Sequence, residues 1–334
     1  MSSRSERRHK EQKPRKRRRL ARVIGLIVLI LVLGIGGYFV YAYNAVKSTA
    51  NKMHIDVKSK DGQTIPNLKN SINILLLGVD ERPNDPGRSD TIIVATLNPK
   101  KKSMLLTSIP RDTRTLIVGT GGYNKINSAY PTGGVDMAIN TVENFAHIKI
   151  DYVGKINMQG LSSLVDAVGG VTVNNPIDWY DEGYYKKGYH YKKGVIHLDG
   201  GAALGYVRMR HLDPLGDFGR NLRQRLVIQA IMKKAAGPSL LTNLNGLLNA
   251  VGDNVKTDAT FSEMKAIAAN YRQCRDHIYT HEAYGVPQRI NGIDYVVVDD
   301  QERNKIKQMI QDEKNGTLDM SKYDSKSSSN SSNQ

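Results

Sequence analysis

The chain has 334 residues and a formal charge of +16, long enough for one large domain or two small ones with a well-buried core. Eleven Lys/Arg against two Glu in the first 22 residues hold +9 of that charge, so the basicity is partly a tail property and argues no nucleic-acid partner by itself. The single cysteine, Cys274, excludes an internal disulfide framework and a thiolate metal site; it reads as a packing residue.

In chain order, the basic segment 1–22 runs directly into "VIGLIVLILVLGIGGYFVYAY", residues 23–43, which carries no charge. A membrane span needs about 20 apolar residues, and positive residues stay on the cytoplasmic side. The expectation is a cytoplasmic tail, one signal-anchor helix with Tyr38, Tyr41 and Tyr43 in the outer interfacial belt, and an extracytoplasmic remainder. A cleavable signal peptide is the rival, but its apolar region is usually about 7–15 residues. Residues 44–70 are polar and weakly patterned, suiting a stalk. Residues 71–312 form one domain, and 313–334, ending in "KSSSNSSNQ", read as a disordered tail.

Inside 71–312, apolar runs at Ile72–Leu77, Thr91–Leu97, Ser103–Ile109 and Tyr152–Ile156 predict buried strands. Helical periodicity follows in "GVDMAINTVENFAHI", "GLSSLVDAVGG" and "GDFGRNLRQRLVIQAIMKKAAG", then a strand in "GIDYVVVDD" and a helix in "QERNKIKQMIQDE". The pattern predicts an α/β fold, a central mixed β-sheet with helices on both faces.

Ligands gather at strand ends in such sheets. Asp80 and Arg82 leave the first strand, Arg88 and Asp90 enter the second, and Arg111 and Asp112 follow the third. Surface salt bridges would explain each pair alone. Repetition at three strand ends favours a site in which paired carboxylates hold a hard cation and arginines grip phosphate oxygens. Further on come Arg208 and Arg210, and then Arg220, Arg223 and Gln224, which fall along one side of a helix with Val227 and Ile231. Cations in a helix's first turns oppose its dipole unless an anion is near.

Walker A, HExxH and GxSxG signatures are absent from the sequence, as is any helix-turn-helix pattern that would support a DNA-binding regulator. His277 and His281 have zinc-helix spacing, but their neighbours read as extended and give poor metal geometry. The segment "DWYDEGYYKKGYHYKKG", residues 178–194, is aromatic and basic. It suits a sugar- or polyanion-binding loop, or a twisted hairpin with exposed tyrosines.

From "INILLLGVDER" through "GRSDTIIVATLNPKKKSMLLTSIPRDT", "GGYNKINSAYPTGGVDMAINTVENFAHIKIDYVGKINMQGLSSLVDAVGGVTV" and "HLDGGAALGYVRMRHLDPLGDFGRNLRQR", the chain resembles the LytR-CpsA-Psr family of cell-wall glycopolymer ligases. The resemblance implies a phosphotransferase that takes an anionic glycopolymer, teichoic acid or capsule in type, from undecaprenyl pyrophosphate to a muramic acid hydroxyl of peptidoglycan, with membrane, lipid carrier and peptidoglycan as partners and no nucleic acid.

By motif match, Asp80 and Asp90 would lie nearest Mg²⁺ (or Mn²⁺), with Arg88, Arg111, Arg210 and Arg220 on the phosphates. Arg82, Lys125, Asn127, Arg208, Arg223 and Gln224 would place or screen the same group, and Asp112 would orient its arginine. A polyprenyl chain would need an apolar groove between helix and sheet, with Leu161, Leu164, Val165, Leu226, Val227, Ala230 and Ile231 as lining candidates that core packing explains equally well. A hydrolase of the same pyrophosphate and a non-catalytic polymer binder or regulator are the alternative functions.

Overall fold

The computed structural model describes residues 37–58, 67–81, 85, 87–234, 252 and 254–324. The chain divides into two compact units, Met1–Ser48 and Thr49–Gln334. In the first, residues 37–48 are helical (α1) with Tyr38, Tyr41 and Tyr43 exposed. Residues 23–36 of the expected span lie outside the described residues, and among the described residues no helix is long and apolar enough to cross a membrane.

The second unit is organised by six strands: β1 (Ile72–Val79), β2 (Ser89–Asn98), β3 (Ser103–Ser108), β4 (Tyr152–Asn157), β5 (Val255–Thr257) and β6 (His277–Glu282). Their spatial order is β5-β4-β1-β2-β3-β6. Strands β1, β2 and β3 form an antiparallel meander, β4 and β6 add parallel to β1 and β3, and β5 closes one edge antiparallel. The sheet is mixed, as the pattern predicts.

Successive side chains of a strand face opposite ways, and β1 divides accordingly. Leu75, Leu77 and Val79 enter one core with α2 (Ala129–Ala146) and α7 (Asp300–Asn315), while Ile72, Ile74 and Leu76 enter the other with α6 (Phe261–Asn270) and Cys274. Burial pushes the Cys274 thiol up to about 12, which agrees with an inert packing residue. A third cluster joins α3 (Met158–Ala167), α4 (Gly200–Arg208) and α5 (Asp217–Lys234) to the hairpin of Val171–Asn175 with Gly194–Leu198.

Two sequence boundaries shift. The helix expected from Gly134 begins at Ala129, since the chain makes one turn, kinks at Gly133 and Gly134, and resumes; Gly134 takes φ +65°, open to glycine without strain. At the other end the packed structure continues past 312. Gly316 ends α7 in the left-handed conformation, and Leu318, Met320 and Tyr323 of the following segment and α8 (Ser321–Asp324) fold back on the core. Tyr323 donates to Asp312 at 2.6 Å. Polar composition concealed this return, because only three side chains carry it.

The topology sends five strand termini to one edge. The ends of β1, β3, β4 and β6 and the start of β2 meet there.

Candidate functional site

At that edge β1 and β2 pair through a bulge between Gly78 and Val79, and the Asp80 amide donates to the Arg88 carbonyl at 3.2 Å. This places Asp80 and Asp90 on adjacent chain segments, both half-buried. Asp90 accepts from Arg111 at 3.0 Å and from Asn127, a buried amide, at 3.5 Å. Arg111 also faces Asp112 at 3.7 Å and Asp217 at 3.6 Å. Lys125 pairs with Asp112 at 2.8 Å, Arg220 with Asp217 at 2.8 Å and Arg210 with Asp217 at 3.7 Å. Segments more than a hundred residues apart thus build one continuous network of Arg, Lys and Asp.

The network is incompletely satisfied. The Nε groups of Arg111 and Arg220 are buried without a hydrogen-bond acceptor among the described residues, and Asp217 Oδ1 lacks a hydrogen-bond donor there. A buried orphan donor costs about 1–3 kcal/mol, which an anion with several oxygens would recover. Burial lowers the Arg220 pKa despite Asp217 beside it. Burial acts the same way on Arg111, but Asp90, Asp217 and Asp112 outweigh it and hold that guanidinium more firmly charged. An arginine whose charge is penalised by burial is stabilised by an incoming anion.

Other expected residues have different surroundings. Arg88 is exposed at the start of β2, and Arg82 lies outside the described residues. Arg208 stacks its guanidinium over Tyr184, 5.5 Å from the ring centroid, at the border of the aromatic segment. Arg223 departs from the expectation that it places or screens the phosphates. Its side chain is wholly buried, donating to Asp213, to the Tyr206 carbonyl and to the Met209 carbonyl, and it lies against Trp179. It clamps the loop between α4 and α5. His281 bonds Glu302 at 2.7 Å within a strand. Among the described residues no group of three or more His, Cys, Asp or Glu gathers as a metal site. Asp80 and Asp90 are hard oxygen donors, the ligand type that Mg²⁺ takes, usually one or two carboxylates with phosphate and water completing the shell.

Beside the network lies a cavity of about 280 Å³ between β1, β4, α3 and α5. Of the lining candidates, Leu161, Leu164, Val227 and Ile231 line it, joined by Ile228 and Met232, whereas Val165, Leu226 and Ala230 do not. Gly78, Thr91 and Gln224 also line it; they stand within a few residues of Asp80, Asp90 and Arg220. An apolar cavity therefore opens at the charged cluster.

Sequence reasoning missed Asp217, although its place three residues before Arg220 signals an i,i+3 pair. It also missed Lys155, which lines the cavity with its ammonium held by Glu81 at 2.7 and 2.9 Å and by Tyr130 at 2.9 Å. The Tyr130 hydroxyl donates to Glu81, and burial with that carboxylate raises the phenol's pKa. No local pattern joins these three residues.

The aromatic segment is a short hairpin of Trp179–Tyr180 with His190–Tyr191. Trp179 and Tyr191 stack inside the third core, while Tyr180 is exposed and stacks on His190. Four backbone amides, Gly183 to Lys186, donate to the Asp181 carboxylate. Burial opposes its ionisation, yet these bonds prevail and lower its pKa.

The LytR_cpsA_psr family model matches residues 38–312. The chain belongs to the LytR-CpsA-Psr family. Among its relatives is the Bacillus subtilis (strain 168) polyisoprenyl-teichoic acid–peptidoglycan teichoic acid transferase TagU, 44% identical over 273 residues, 80% of this chain and 87% of the relative. The B. subtilis TagU crystal structure superposes with TM-score 0.60 at 38% identity, over 73% of this chain and 96% of that one. A structure of TagT bound to LIIa-WTA superposes with TM-score 0.65 at 26% identity, over 78% and 100%. The mixed α/β architecture of this LytR-CpsA-Psr member is thus shared with solved relatives.

Proposed function

We propose that the chain is a membrane-anchored, extracytoplasmic phosphotransferase. It moves an anionic glycopolymer of teichoic acid or capsule type from undecaprenyl pyrophosphate to a muramic acid hydroxyl of peptidoglycan. The observation that carries this reading is the junction of two unlike surfaces, an Arg/Asp network with orphaned donors and an apolar cavity opening beside it. A polyprenyl diphosphate is an anion joined to a hydrocarbon chain, and the junction matches that order.

In the reaction the acceptor oxygen bonds to the glycan-side phosphorus, the anhydride P–O bond breaks, undecaprenyl phosphate departs, and the acceptor proton is released. Arg111, Arg210 and Arg220 supply fixed positive charge where the equatorial and leaving oxygens gain negative charge. Asp90 and Asp217 hold Arg111 in place between them, and Lys125 does the same for Asp112. The cavity takes the first isoprene units from water. Asp80 and Asp90 are the carboxylates that would hold Mg²⁺ or Mn²⁺, which when bound neutralises diphosphate charge.

The test is transfer by purified variants. Removing one such electrostatic contact commonly costs about 3 kcal/mol in the barrier, or roughly a hundredfold in rate. Arg111→Ala, Asp80→Ala and Asp90→Ala should each lose that much or more with the thermal melt close to wild type. Full activity in all three would refute the site.

A further inference from the structure

The strands that deliver Asp80 and Asp90 to one edge have their other ends at a second concave surface. Asn73 at the start of β1 lines a cleft of about 590 Å³, and Asn98 at the end of β2 lines another of about 420 Å³. Both clefts share Gln311 and Lys314 of α7, so they adjoin along that helix as the two lobes of a groove. From Asn73 to Asp80 is seven residues of strand, about 23 Å at the usual rise. The groove therefore lies at the opposite pole of the sheet from the Arg/Asp network.

Its chemistry is basic and amide-rich. Lys307 and Lys314 project from α7 into one lobe, and Lys100 and Lys101 from the turn after β2 into the other. The acid among the lining residues, Glu143, is already committed, accepting from the Ile150 amide at 2.8 Å and Lys149 at 3.0 Å. Glu143 offsets Lys149, and among the described lining residues Lys100, Lys101, Lys307 and Lys314 leave the groove net positive. Lys307 and Lys314 stand seven residues apart, nearly two full turns, which puts them on one helix face about 10 Å apart. A row of cations in a cleft focuses potential along its length, and ammonium groups bind phosphate as point charges. Side-chain amides from Asn144 and Gln311 add donors and acceptors suited to hydroxyls.

We propose that this groove is a second anion site, one that holds a polymer of phosphodiester-linked polyol or sugar units. Repeated phosphates match the spaced lysines better than a single small anion does, and hydroxyls between phosphates match the amides. An anionic lipid surface fits less well: the lysines line a cleft, and none of the exposed large hydrophobic residues among those described belongs to it. The choice of polymer rests on the transfer reading, whereas the groove shares no residue with the Arg/Asp network.

The experiment is titration of the full chain in detergent with a synthetic glycerol-phosphate hexamer lacking lipid and diphosphate, read by calorimetry and by backbone amide shifts. Three proteins are compared: wild type, Arg111→Ala, and the triple variant Lys100→Gln, Lys307→Gln, Lys314→Gln. The proposal expects binding that weakens with salt, shifts over residues 140–149 and 307–315, at least a tenfold loss in the triple variant and little change in Arg111→Ala. Transfer from a short lipid-linked donor should persist in the triple variant. Unchanged hexamer affinity in the triple variant, or loss only in Arg111→Ala, would overturn it. So would phosphatidylglycerol vesicles, and not the hexamer, responding to the lysine changes. Lys307→Gln alone, on an exposed position, serves if the triple variant is unstable, and the wild-type amide shifts need no variant at all.

Discussion

Two arginines three residues apart on α5 do different work. Arg220 faces Asp217 and the cluster, whereas Arg223 is sealed among Asp213, Tyr206 and Met209. A helix turns about 100° per residue, so position 223 sits about 60° to one side of 220 and position 224 about 40° to the other. Treating them as one stripe hid that divergence. Breaking a buried ion pair costs about 3–5 kcal/mol, so Arg223→Ala should lose that much in urea unfolding, far more than Arg111→Ala. Equal stability of the two variants would remove Arg223 from its clamping role.

Glu313 gives a pH test at the same scale. Burial raises its pKa above the ordinary 4.5, opposed by a hydrogen bond from Ser103. Between the unfolded and folded values the native state binds more protons than the unfolded, so this group's contribution to stability falls as pH rises through that window. Relative to wild type, Glu313→Gln should therefore gain stability as pH rises above about 4.5, measured by unfolding at pH 4.5 and pH 8. A difference that stays constant would contradict the assignment.

At the scale of elements, the strands were readable because β1, β2 and β3 are nearly continuous apolar runs buried on both faces. Strand ends also pointed to Asp90, at the start of β2, and Arg111, just after β3, whereas Lys125 was named only by motif match. The partners supplied by tertiary structure were not readable. Lys155 and Glu81 lie 74 residues apart and meet only because β1 and β4 pair in parallel. The cavity between α3, α5 and the sheet was foreseen as a groove, though periodicity alone could not separate its lining from core residues such as Val165. Filling it tests the distinction. Ile231→Trp should weaken binding of a long polyprenyl diphosphate at least tenfold while a short-chain diphosphate binds as before, both measured by calorimetry. Equal losses for both would place the tail elsewhere.

In the whole molecule, one mixed sheet has the Arg/Asp network at one pole and the lysine-lined clefts at the other. The antiparallel meander brings the β1 end, β2 start and β3 end together, and the parallel additions β4 and β6 bring their ends to the same edge. That arrangement concentrates Asp80, Asp90, Arg111, Arg210 and Arg220 from segments far apart in the chain. The same alternation carries the lysine-lined groove to the far pole.

Whether the chain transfers a phosphoryl-linked glycan is read from the identity of the product. The full chain in detergent is given a synthetic polyprenyl-diphosphate glycan and peptidoglycan oligomers, with Mg²⁺ or with EDTA, and the products are separated by mass. A glycan–phosphodiester–peptidoglycan product with release of polyprenyl phosphate is expected, lost in EDTA and in Arg111→Ala. Free glycan phosphate as the sole product, or donor binding with no product under any metal, would contradict it.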